Sequence, residues 1–307
     1  MTESGEELRR VAALLAFAEI VSPHLGDRRM LALTAAFDEF CLEALTEDLS
    51  DLPMGVDLMA ARQRLTPEDI DRWVDTLTDL DKAGIDVALI CHDNYPVNLR
   101  TVFDRPPLLF VAGSLPADDP RAVAIVGTRK ASAAGLRLAT DLGHSLAESG
   151  ITIVSGMARG IDSAAHSGAM RASGRTIAVL GQGLRAPMAR DRAEFARKIA
   201  AGSGAVVSQF WPRQGGTNWT FPIRNRVTSG LSQATVVVEA GPTSGAKLQA
   251  HDALRHGRRV YLVEQLVLQQ PWAQELAENP AVSILTHVDE LVQTIETDLT
   301  AWSDVLV

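Results

Sequence analysis

The sequence predicts an α/β protein: a Rossmann-like parallel sheet with helices on both faces, preceded by a small helical domain. Three observations carry this expectation. From residue 121 onward, short apolar runs alternate with helical patterns, the signature of βαβ units and a parallel sheet. Near the start, apolar residues such as Leu8, Val11, Leu14 and Leu15 recur at helical spacing. The chain has 307 residues, more than one domain of the usual size of about 100–200 residues requires.

Taken in order, residues 6–20 and 29–47 read as amphipathic helices of a bundle. Thr66-Pro67-Glu68-Asp69 is a helix start, with Thr66 at the cap, Pro67 in the first turn and Asp69 three residues after the cap. That helix should run to Lys82 and stop at Gly84. Asp86 to Cys91 reads as a strand, Tyr95-Pro96 as a turn and Pro107 to Ala112 as an extended segment, and the polar, proline-bearing stretch 114–120 as a boundary. The expected division is a helical domain over 1–84, a connecting segment over 85–120 leading into the sheet, and a Rossmann-like domain over 121–307. Strands are expected at Ala122–Val126, Thr152–Ser155, Thr176–Leu180, Ala205–Ser208, Ala234–Glu239 and Arg259–Val263. An edge strand at Val282–Leu285 and a last helix at His287–Thr294 complete the pattern.

Composition narrows the function. The apolar run Val11–Ala18 is too short for a membrane span of roughly 20 residues, and the acidic start is unlike a secretory leader, so a cytoplasmic protein without a membrane partner is expected. Cys41 and Cys91, the only cysteines, make neither a disulfide framework nor a metal-ligand spacing. No metal, cofactor or catalytic group is expected. The net charge of −9 hides an asymmetry: residues 1–120 hold 10 Lys/Arg against 23 Asp/Glu, residues 121–260 hold 19 against 7, and residues 261–307 hold none against 8. A basic middle permits a polyanion partner, because screening confines each charge to roughly 8 Å.

In an open parallel sheet, ligands collect where the loops leave the carboxyl ends of the strands. The first such loop, Gly127-Thr128-Arg129-Lys130, joins a tight turn to a hydroxyl and two cations, which suits a phosphate. It is neither a dinucleotide fingerprint nor a P-loop. The second, Ser155 to Asp162, sets Gly156 and Gly160 on either side of Arg159 and leads to His166, four residues after Asp162 and read as structural for want of a placed nucleophile. The Gly181-Gln182-Gly183 loop adds a weak signal. The stretch Trp219 to Arg226 places aromatics beside Arg224, Asn225 and Arg226, which suits single-stranded nucleic acid, since bases stack on aromatic faces. An alternative puts Trp219 and Phe221 in the core and the arginines on a salt-bridged face. Finally, Glu239 to Lys247 forms a Gly/Ser-rich loop, with Lys247 in a first helical turn where a cation favours a nearby anion.

Together these segments, with Asp93-Asn94-Tyr95-Pro96, Pro106 to Phe110 and Ser229-Gly230-Leu231, resemble the DNA-processing protein A family over roughly 85–265. The resemblance implies a homodimer that binds single-stranded DNA and helps load a RecA-type recombinase during transformation or recombination. It implies that Gly127, Thr128, Arg129, Arg159, Arg224, Asn225 and Arg226 line or support the DNA pocket, and the loop chemistry adds Lys130, Gly156, Phe221 and Lys247 to the expected DNA site. The chain departs from the pattern at Leu184 to Arg190, where family members carry Tyr-Pro-x-x-Asn, and residues after 264 leave no room for the winged helix with which many members end. A nucleotide-ligand sensor used in genome defence is the competing function. A hydrolase of nucleoside monophosphates is disfavoured, because Glu239 to Thr243 lacks the Pro-Gly-Gly-x-Gly-Thr segment of such enzymes.

Overall fold

The computed structural model describes residues 3–23, 28–119 and 121–303; Met1, Thr2 and Pro120, which entered the sequence reading, lie outside them. The chain opens with α1 (Glu3–Val21), α2 (Arg28–Phe40), a 3-10 turn (Cys41–Leu45), α3 (Gly55–Arg62) and α4 (Pro67–Lys82). Helix α4 starts where its residues require. The Thr66 hydroxyl accepts from the Asp69 N–H, and the Asp69 carboxylate accepts from the Thr66 N–H. The Thr66 hydroxyl also donates to the Asp69 carboxylate at 2.7 Å, and this bond, with the one from the Thr66 N–H, holds the Asp69 carboxyl below its ordinary range. Thr66→Ala is expected to lower stability by about 1 kcal/mol, read as a lower urea midpoint at unchanged slope; an unmoved midpoint would deny the capping box any role.

Next come β1 (Ile85–Leu89), α5 (Val97–Arg100) and β2 (Leu108–Gly113). The alternating part follows: β3 (Ala122–Val126), α6 (Ala133–Glu148), β4 (Thr152–Ser155), α7 (Ile161–Arg171), β5 (Thr176–Val179), α8 (Arg190–Ala201), β6 (Ala205–Ser208), α9 (Thr220–Gly230), β7 (Ala234–Val237), α10 (Gly245–Arg255) and β8 (Arg259–Val263). Helices α11 (Glu264–Gln269) and α12 (Pro271–Ala277), strand β9 (Val282–Leu285) and helix α13 (Val288–Ser303) close the chain. The nine strands make one sheet in the order β1-β2-β6-β5-β4-β3-β7-β8-β9. Strand β2 pairs antiparallel with β1 and β6, and all other pairs are parallel. The fold is Rossmann-like α/β.

The strand expected at Asp86–Cys91 and the extended run expected at Pro107–Ala112 are present as β1 and β2, whose register runs Ile85 opposite Ala112 to Leu89 opposite Leu108. One sequence expectation is corrected: Cys41 and Cys91 are bonded to each other across 50 residues. Spacing alone does not bring such a pair together; the packing of the helices on the sheet does. With His92 the two form a group of metal-ligating types, but the sulfurs are committed to one another.

The strands β3, β4, β5, β6 and β7 are buried throughout because both faces are covered. Alternate residues divide between two layers. Val154, Ile177, Val179 and Val207 face a core shared with Leu14, Phe17, Leu33 and Phe37 of the first helices. Val123, Ile125 and Ile153 face α6 and α7. The helical region therefore shares its core with the sheet. Its tie is aromatic: Trp73 of α4 meets Trp211 with ring centroids 5.3 Å apart, and the Trp211 indole N–H donates to the Ser22 carbonyl.

Candidate nucleic-acid interface

The chain passes from β3 to β4 on one side, while β7 lies on the other. At such a reversal of strand order the following loops part, and a crevice opens at the carboxyl edge. Here it is a cleft of about 530 Å³ between the loops after β3, β4 and β7 and the start of α9.

Its floor is built by backbone ties. The Thr128 N–H donates to the Glu239 carbonyl at 2.6 Å and the Val238 N–H to the Val126 carbonyl at 3.1 Å, holding the β3 and β7 loops together. Gly160 has a φ of +88°, and a Cβ there would stand 2.3 Å from the Thr128 carbonyl oxygen, so only glycine lets the β4 loop pack on the β3 loop. Met157, at φ 53°, turns the same loop through the left-handed region and is buried beneath it.

The charges sort into spent and available ones. Asp162 is 5% exposed, and its carboxylate accepts from the Ala158 N–H at 3.2 Å. Burial raises its pKa, opposed by Arg224 and by the N–H groups of Ala158, Gly156 and Gly127. Arg224 is buried too and donates to the Val179 carbonyl at 2.6 Å. Its guanidinium fills the space beside Gly156, where a Cβ would come within 1.8 Å of Nη1. Glu239 accepts from the Ser132 N–H at 2.9 Å, at the start of α6. Asp162 and Arg224 compensate one another, and Glu239 is held by a helix start. The surplus is cationic. Arg129 and Lys130 are exposed and have no carboxylate partner among the described residues; Arg129 lies over the Phe221 ring, 5.4 Å from its centroid.

Of the residues read from sequence, the cleft brings together Gly127, Thr128, Arg129, Lys130, Gly156, Phe221, Arg224 and Asn225. Arg224 lines the cleft as a largely buried residue, 8% exposed, whose charge offsets that of Asp162. Three residues stand outside the lining. Arg159 is exposed beside Gly160, in the loop packed on Thr128. Arg226 is drawn away by Asp104, 3.5 Å from its Nε. Lys247 lies over the Trp272 ring, 5.8 Å from the centroid, so its position in the first turn of α10 is stabilised by an aromatic face and not by an anion. Trp219 and Phe221 also split: Trp219 is 41% exposed, while Phe221 is half-buried.

Sequence reasoning missed Asn218, Thr243, Ser244 and Gln249, which also line the cleft. Ser244 carried a signal, since a serine after a strand and before an apolar helix pattern is a cap; its hydroxyl accepts from the Ala246 N–H. Nothing in the sequence singles out the buried amide of Gln249.

Two histidine arrangements invite a catalytic interpretation. His166 is fully buried, bonded through Nδ1 to the Thr176 hydroxyl at 2.6 Å, and pushed down to about 3 by burial and by Arg224. It is structural, as expected. Ser229, His256 and Asp104 form a chain with contacts of 3.0 and 2.6 Å, with Ser229 buried and the side chains of His256 and Asp104 only 1% and 4% exposed, so the hydroxyl is closed off from the surface. They brace α9 against α10.

Fold and site together define a Rossmann-like α/β protein with a cation-rimmed cleft at its topological switch point. The chain belongs to the DNA recombination-mediator protein A family, whose model matches residues 86–296. It is similar to DNA processing protein DprA of Bacillus subtilis (strain 168), 35% identical over 181 residues, covering 59% of this chain and 61% of the relative. It is also similar to Protein Smf of Escherichia coli (strain K12), 36% identical over 208 residues, covering 66% and 54%. This chain therefore spans less than two thirds of the length of these relatives. The structure of DNA processing protein A from Streptococcus pneumoniae matches with a TM-score of 0.62 at 28% identity, over 77% of this chain and 85% of that one. A Helicobacter pylori DNA processing protein A, described for its single-stranded DNA binding mode, shares the fold with a TM-score of 0.62 at 23% identity, over 70% and 96%. Among the described residues, no helix is long and apolar enough to cross a membrane.

Proposed function

We propose that this chain binds single-stranded DNA in the switch-point cleft and assists the loading of a RecA-type recombinase, acting as a homodimer and without catalysis. The observation that carries the reading is the pair Arg129 and Lys130, exposed and without carboxylate partners among the described residues, with Arg129 over the Phe221 ring. Phosphates would pair with these cations and with Arg159, and bases would stack on aromatic faces. A duplex hides its base faces, so it gains only the phosphate part. Family membership supports the DNA-processing role, and the likeness to DNA processing proteins, one described for its single-stranded DNA binding, points the same way. Two protomers holding one strand would raise avidity without a new contact.

Binding of a labelled oligonucleotide across salt concentrations tests this. Log affinity should fall linearly with log salt, by about 0.7 per phosphate neutralised, and a single strand should bind tighter than duplex. A flat salt response or indifference to duplex overturns the proposal. A mononucleotide that raises the melting temperature while oligonucleotides do not would select the small-ligand sensor.

A further inference from the structure

Beyond Phe221 the carboxyl edge continues over β5 and β6. The loop from β5 to α8 and the loop from β6 to α9 are joined there: the Gly183 N–H donates to the Gln214 carbonyl at 2.8 Å and the Arg185 N–H to the Pro212 carbonyl at 2.7 Å. Phe221 connects this platform to the cleft, because its ring sits against Gly181 and Gly216 on one side and under Arg129 on the other. The platform carries Arg185, Arg190 and Arg213, all exposed and none in an ion pair among the described residues. Arg192 follows in α8; it is close enough to Arg224 to act on its charge, and its buried Nε has no hydrogen-bond partner. Of the carboxylates nearby in α8, Glu194 is occupied by Lys198 at 3.1 Å, which leaves Asp191 against the arginines. Trp219 rises from the same platform, 41% exposed and braced edge-on against Phe210 at 6.2 Å.

The opposite direction from the cleft is unlike this. Lys247 is turned onto Trp272, and the described side chains after β8 include Glu264, Glu275, Glu278, Glu296 and Asp298 and no Lys or Arg.

We propose that Arg185, Arg190 and Arg213, with Trp219, form an exit track that guides a polynucleotide strand from the cleft across the β5–β6 side of the sheet edge. Separated cations follow phosphates, and an exposed indole offers a stacking face to an unpaired base. The inference rests on the single-strand reading of the cleft. It fixes the direction in which the strand leaves.

The test compares oligothymidylates of about four and about twenty nucleotides, the shorter matching the cleft and the longer reaching the platform. Against the unaltered protein, the variant Arg185→Ala/Arg190→Ala/Arg213→Ala should lose most of the affinity advantage of the longer strand. Its salt slope for that strand should drop by about 2, at roughly 0.7 per lost phosphate contact. An unchanged advantage and slope, at an unchanged melting temperature, overturn the track and leave the cleft reading intact. Failure of the unaltered protein to bind either strand overturns both. Trp219 gives an independent readout, as the difference in fluorescence between the protein and its Trp219→Phe variant. That signal should be quenched by the longer strand and not by the shorter one; equal quenching by both, or none, counts against the track.

Discussion

Arg224→Met is expected to lower the free energy of unfolding by about 2–4 kcal/mol at neutral pH, close to what losing one partner of a buried charge pair costs. Two losses add. The Val179 carbonyl loses its donor at 2.6 Å, and the buried Asp162 carboxylate loses the cation that offsets its desolvation. The pH dependence has a definite sign. Burial already raises Asp162, so the folded protein binds its proton more tightly than the unfolded chain, and ionised Asp162 opposes folding above its folded pKa. Removing Arg224 raises that pKa further. His166 works in the same direction: its folded pKa, about 3 against an ordinary 6.5, is held down partly by Arg224, so stability lost on acidification below 6.5 is lost less steeply in the variant. The stability gap between the two proteins should therefore be widest near neutrality and narrow toward pH 4. Asp162→Asn in the Arg224→Met background should recover part of the loss, a coupling that a double-mutant cycle in urea reads directly. Additive effects with a pH-independent gap would show that the two charges do not compensate one another.

Much of this architecture was legible in the chain. The strands from 122 to 263 announced themselves because each is a short apolar run between helical patterns, and burial on both faces of a parallel sheet permits nothing else. The start of α4 was legible for a local reason, since Thr66, Pro67 and Asp69 satisfy the end of a helix within one turn. What escaped depended on distance. The extended runs of β1 and β2 could be read locally, but their pairing could not: they meet across the 18 residues between Leu89 and Leu108, and β2 finds β6 about a hundred positions later. The disulfide needed the same tertiary knowledge. Within the site, the loops were legible and the roles of their arginines were not. Arg129, Arg224 and Arg226 look alike in sequence, yet one is exposed over an aromatic ring, one braces Asp162 inside the fold, and one pairs with Asp104. Which carboxylate meets which guanidinium is decided by α7 and by the segment before β2, far away along the chain.

That sorting of arginines governs where binding should fail. Arg129→Ala/Lys130→Ala is expected to weaken single-stranded DNA binding by about 10- to 100-fold at moderate salt, the range for losing one or two charge-assisted contacts at a partly exposed site. Its salt slope should be lower by about 1.4, at roughly 0.7 per phosphate. Both side chains are exposed and in no ion pair among the described residues, so the melting temperature should hardly move. Arg226→Ala supplies the contrast. With its Nε 3.5 Å from Asp104, it neutralises a carboxylate that is 4% exposed and already bonded to His256. Its loss should therefore appear in stability more than in affinity, with the salt slope nearly intact. If instead the Arg129/Lys130 variant keeps its affinity and Arg226→Ala abolishes binding without loss of stability, the strand lies along the outer side of α9, and the cleft at the strand-order reversal is not its site.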